Sequence, residues 1–171
     1  TFQENEASSS NHGGGGVYIG YGAQPIFNHV IWIRNAAHYG GGGVLIANSN
    51  TNPTFNNCTF QENEAPNSNR GGGGVYIALQ AQPIFNHVIW IRNVAQSYGG
   101  GVLIATSKPT FNNCTFQENK ASNSNKGGGG VYIRSQAQPI FNHVIWIRNV
   151  AQGYGGGVYI KDSNTKPTFN N

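Results

Sequence analysis

Methionine is absent, cysteine occurs only twice, and charged residues make up 9% of the 171 positions. Two cysteines cannot build the disulfide framework of a small secreted scaffold. Asp162 is the sole aspartate, which excludes calcium-binding repeats that need several carboxylates per turn. Lysine and arginine total 10 and are scattered, so the net charge of +4 forms no basic patch of the kind that tracks phosphates, and nucleic acid is not an expected partner. No apolar run reaches the 18 or so residues of a membrane-spanning helix, and no charged-then-apolar leader opens the sequence. The expectation is a chain with no membrane span in this segment.

What fills the sequence is glycine, asparagine and a strict repeat. Thr1-Phe2-Gln3-Glu4-Asn5 returns at 59–63 and at 115–119. A fainter half-period appears when 53–63 is laid over 83–93, so the basic unit is about 28 residues, present six times in alternating types A and B. Hydrophobic residues are 37% of the chain and recur in fixed columns, which gives the array enough apolar surface to fold.

Each unit carries three short runs of strand character: Pro-Thr/Ile-Phe, the run ending at Phe or Trp, and Gly-Gly-Val-Tyr/Leu-Ile. Runs this short, interrupted by Gly and Asn, do not make helices. Identical units stacked as parallel strands about 4.8 Å apart predict an all-β fold, a right-handed parallel β-helix of six coils, the hand following from the bias of parallel crossovers. Residues 1–171 read as one continuous solenoid and as an excerpt of a longer array.

The columns follow from the repeat. Phe27, Phe55, Phe85, Phe111, Phe141 and Phe169 form one inward row. Phe2, Trp32, Phe60, Trp90, Phe116 and Trp146 form another, and Val17, Val44, Val75, Val102, Val131 and Val158 with the Ile two residues on form a third. Asn5, Asn35, Asn63, Asn93, Asn119 and Asn149 are expected to stack as an amide ladder at a bend.

Phe-Gln-Glu-Asn and Gly-Gly-Gly-Val-Tyr-Ile are similar to the F-x-x-N and G-G-[A/I/V] repeats of chlamydial polymorphic outer-membrane proteins. Trp-Ile-Arg-Asn in the B units replaces Phe with Trp. The resemblance implies a β-helical passenger or stalk on a cell surface, with a structural or adhesive role and no catalytic residue.

The candidate chemical groups point the same way. Cys58 and Cys114 share a column with Val88 between them, and two coils, about 9.6 Å, exceed the roughly 7 Å reach of a disulfide; they read as core thiols. His29, His87 and His143 alternate with Asn57 and Asn113 at a corner, too far apart for one metal. Glu62 and Glu64, read as two apart on a strand, could place carboxylates about 7 Å apart, as in inverting glycosidases. Glu4 and Glu6 repeat that pair and Lys120 breaks it, which argues against a single active site. No enzyme, cofactor or metal is expected.

The outward positions alternate between A and B. Glu4, Arg34, Glu62, Arg92, Glu118 and Arg148 form a charge ladder that sets coil register, because a slip of one coil would stack like charges. His12, Tyr39, Arg70, Tyr98, Lys126 and Tyr154 alternate basic and aromatic groups. Ile31, Ile33, Ile89, Ile91, Ile145 and Ile147 place an apolar stripe on B coils for lateral contact. The A-type corner is longer, and 65–70 and its copies are expected to protrude.

These features predict an extracellular structural solenoid, a fibre or surface stalk that assembles with itself end to end. The alternative is an adhesin that holds glycan or a host or neighbouring cell surface through an outward row of Tyr18, Leu45, Tyr76, Leu103, Tyr132 and Tyr159.

Overall fold

The computed structural model describes residues 1–8, 13–66, 71–123 and 125–171. Its strands lie in four six-stranded sheets, all paired in parallel. One holds Phe2–Gln3, Ile31–Ile33, Thr59–Gln61, Ile89–Ile91, Thr115–Gln117 and Ile145–Ile147. The sheet carrying the Phe row holds Ile26–Asn28, Thr54–Asn56, Ile84–Asn86, Thr110–Asn112, Ile140–Asn142 and Thr168–Asn170. The Val-x-Ile sheet runs from Val17–Ile19 to Val158–Ile160. Strand neighbours in each sheet come from successive repeats, so the chain winds through all four sheets once per coil.

The fourth sheet, Glu6–Ala7, Ala36–Ala37, Glu64–Ala65, Val94–Ala95, Lys120–Ala121 and Val150–Ala151, was not among the three runs expected. Two residues per strand are too few to show period-2 alternation. It also corrects the expected start of the long A corner, because Ala65 and Ala121 are fully buried and belong to a strand. Residues 67–70 of that corner, with 9–12 and 124 of its copies, lie outside the described residues.

The register is the predicted one. Phe55 pairs with Phe27 and Phe85, Trp90 with Phe60 and Phe116, and Val75 with Val44 and Val102. Like rings therefore stack up the coil axis: Trp90 on Phe116 at 4.6 Å between centroids and Phe55 on Phe85 at 4.8 Å. The two aromatic rows meet edge to face, as Phe85 does with Trp90 at 5.1 Å. Such pairs add to the ordinary gain of burying each ring. Buried rings, valines and isoleucines form one core that continues from coil to coil.

The asparagine ladder closes this core at one bend. Asn35, Asn63, Asn93 and Asn119 are fully buried, a costly place for an amide unless every group is used. All are used. Asn63 donates both its backbone N–H, at 3.0 Å, and Nδ2, at 2.9 Å, to Asn93 Oδ1. Its Nδ2 also reaches the Trp32 carbonyl at 3.0 Å. A second ladder, Asn28, Asn56, Asn86, Asn112, Asn142 and Asn170, runs nearer the surface with Nδ2 to Oδ1 distances of 2.8–2.9 Å and donates toward the opposite end. Its signal was the Asn after Phe in every Pro-x-Phe-Asn.

Candidate functional site

A rod of stacked coils offers function mainly through its outer faces, and the corners set what those faces present. The residue before each ladder asparagine, Glu4, Arg34, Glu62, Arg92, Glu118 and Arg148, has φ between 48° and 55°. This left-handed turn ends one strand and swings the following Asn inward. It also corrects the placement of Glu62 and Glu64 on one strand: Glu62 is the turn, Glu64 opens the next sheet, and buried Asn63 stands between them.

The turn throws the charged side chains outward in one row. Arg34 lies 2.8 Å from Glu4, and Arg92 reaches Glu62 at 3.4 Å on one side and Glu118 at 3.2 Å on the other. Arg148 is 3.9 Å from Glu118. The expected ladder forms on one face. Donation from the Gln117 amide, and then from Arg92, holds the Glu118 carboxyl below its ordinary 4.5. Its contribution to stability is therefore present above that pH and lost as the pH falls through the lowered value.

The isoleucine stripe also faces out. Ile31 and Ile89 are 42% exposed and Ile145 56%, with Ile147 exposed and Ile33 and Ile91 intermediate. Sequence reasoning missed a second row beside it, exposed Ile26, Ile84 and Ile140, which pair with Thr54 and Thr110 of the A coils. Between the two rows lie exposed His29, His87 and His143 at left-handed corners. B coils are thus apolar ridges and A coils threonine furrows, repeating every two coils. Among the described residues no three His, Cys, Asp or Glu side chains gather as a metal site.

The aromatic row assigned to an adhesive surface is mostly interior. Leu45 and Leu103 are fully buried and Tyr76 and Tyr132 nearly so; only Tyr18 at one end is well exposed, and Tyr159 is intermediate. Alternation does send these side chains away from the main core. A second layer then covers them. The glycine run lies so flat on this sheet that a Cβ on Gly72 would stand 2.7 Å from the Leu103 nitrogen and one on Gly41 2.7 Å from that of Tyr76. Tyr98 packs against Tyr132 at 4.8 Å. Burial pushes the Tyr132 hydroxyl up to about 12. Of the basic and aromatic column, Lys126 Nζ stands 4.5 Å from the Tyr98 ring centre, and Arg134, which was not foreseen there, also lies over that ring at 4.7 Å. His12 and Arg70 lie outside the described residues.

Cys58 and Cys114 are buried free thiols. Burial raises both, Cys114 from 9.0 to about 12, so at pH 8 the thiolate, the reactive form, is scarce. Neither thiol is expected to react with Ellman's reagent at pH 8 without denaturant, and both should react at once in guanidinium. The sign for stability follows: the Cys114 term is intact below 9.0 and is lost as the pH rises from there toward about 12.

Parallel strands wound coil upon coil about a shared interior, with laddered amides at the bends, define a β-solenoid. The family model described as right handed beta helix region matches residues 1–171, and the chain belongs to that family. No curated protein and no solved structure matches it. Among the described residues no helix is long and apolar enough to cross a membrane.

Proposed function

We propose that this chain is a non-enzymatic structural solenoid, a section of an extracellular fibre or surface stalk whose coils associate end to end and side to side. The observation that carries the reading is the two-coil alternation of the outer face. The Glu/Arg row and the Ile/Thr rows repeat from coil to coil, and no chemistry confined to one place would need such repetition. A further A coil set against a B coil would meet complementary charges and continue every ladder, as neighbouring coils do here. Ridges of Ile89 and Ile145 against threonine furrows of a second copy would bury the apolar stripe sideways. The likeness of Phe-Gln-Glu-Asn and Gly-Gly-Gly-Val-Tyr-Ile to chlamydial outer-membrane repeats supports the extracellular setting.

Electron microscopy of the purified chain is expected to show unbranched filaments that bundle laterally. Replacing Ile31, Ile89 and Ile145 by threonine, the residue that A coils place in that row, should leave the filaments and disperse the bundles. A chain that stays monomeric at high concentration would overturn the reading.

A further inference from the structure

One corner breaks the repeat. Between the aligned Ile46, Ile77, Ile104, Ile133 and Ile160 and the aligned Thr or Ile that opens the Phe-row sheet, the chain passes through 47–53, 78–83, 105–109, 134–139 and 161–167. These corners are seven, six, five, six and seven residues long. The outline of the rod therefore sinks to a low point at 105–109 and rises on both sides. The dip is a groove of about 390 Å³, a size that takes a small ligand.

Thr106 and Lys108 form its floor, Gln80 and Gln82 one wall, and Gln136 and Gln138 the other. Its backbone is fixed by cross-coil bonds from Lys108 N to the Ala81 carbonyl at 3.2 Å and from Gln138 N to the Ser107 carbonyl at 3.0 Å. Thr106 sits at φ 54°, a strained conformation for a β-branched residue. It is held there as its hydroxyl donates to the Ala105 carbonyl at 2.7 Å and accepts the Leu79 N–H at 3.1 Å.

The side chains on this frame are unspent. Elsewhere the protein uses its asparagine amides in ladders, yet the four glutamine amides and the Lys108 ammonium make no side-chain hydrogen bond or ion pair among the described residues. Amides two coils apart, about 9.6 Å, can donate to and accept from a hydroxyl-rich molecule lying between them. The ammonium at the centre favours a carboxylate there, through a charge-assisted bond. Asp162, whose Oδ2 accepts the Ser135 N–H at 3.0 Å, keeps anions away from the far end. No aromatic ring lines the floor, and the exposed Leu79 at the rim gives one apolar contact.

We propose that this groove binds a short acidic saccharide, its carboxylate on Lys108 and its hydroxyls shared among the glutamine amides. The site occurs once in the array, unlike the repeated outer rows, and it stands or falls separately from the filament reading.

Titration calorimetry of the 171-residue chain with trisaccharides containing glucuronate, galacturonate, mannuronate or sialate, and with neutral glucose and galactose trimers, tests this. Saturable binding of at least one acidic trimer is expected, about tenfold tighter than its neutral counterpart, with Lys108→Gln erasing that preference. Inserting Asn-Thr between Ser107 and Lys108 recreates the Ser-Asn-Thr-Lys text of 163–166 and fills the dip with a corner the fold already accepts. Binding should vanish while the circular dichroism and melting temperature stay. Lys108→Gln decides the matter if the insertion misfolds. The proposal is overturned if no acidic trimer binds, if neutral trimers or a glutamate tripeptide bind as well, or if binding survives both changes.

Discussion

Asn93→Ala is expected to be among the most damaging single changes in the chain. The Asn93 side chain accepts from the Asn63 N–H and Nδ2 and donates to Asn119 Oδ1 and to the Phe60 carbonyl at 2.8 Å, all at a fully buried bend. Removing it leaves a buried backbone N–H, an amide and a carbonyl without that partner, each costing about 1–3 kcal/mol. A loss on the order of 3–6 kcal/mol follows. In a solenoid each coil touches only its neighbours, so the damage should split the urea transition, the central coils melting before the ends. Asn5→Ala is the control, because Asn5 is exposed and donates to Asn35 without accepting from another amide. A single unshifted transition for Asn93→Ala would contradict the buried-ladder account.

Gly73→Ala should be at least as harmful, for a reason no hydrophobicity pattern carries. A Cβ at Gly73 would stand 2.2 Å from the Gly100 carbonyl oxygen and 2.6 Å from that of Val94. Both are backbone atoms of the next coil, which cannot turn aside as a side chain can. Insertion of even one methyl must push the neighbouring coils away from each other, so the cost should reach or exceed the ~1–3 kcal/mol usual for overpacking. Gly157→Ala, whose Cβ would meet only Trp146 Cβ at 4.0 Å, should cost about 1 kcal/mol or less. Equal melting temperatures for the two variants would rule out the close glycine contact.

The contrast shows what the sequence exposed and what it hid. Stacked rows were legible because a parallel coil places like residues above one another, so aligning the repeats was already aligning the rings, valines and ladder asparagines. Alternation told which side of the strand Tyr76 and Leu103 leave from. It could not tell that a glycine run and Tyr98 would cover that side, since the cover comes from a separate stretch of chain. The left-handed corners at Glu62, Arg92, His87 and Thr106 were hidden because such turns announce themselves by Gly or Asn, and here the geometry of closing a coil overrides that preference. The fall in corner length toward 105–109 was present in the Ile-to-Pro spacing. Its meaning needed the register of neighbouring coils.

Fibre diffraction from oriented filaments tests the central claim most directly. A right-handed β-helix whose coils alternate A and B predicts a strong reflection along the filament axis at about 4.8 Å, from strand spacing. A weaker one on the same axis at about 9.6 Å, twice that spacing, would come from the coil pair. Absence of the axial 9.6 Å reflection from well-oriented filaments, or failure to form filaments at all, would contradict the account.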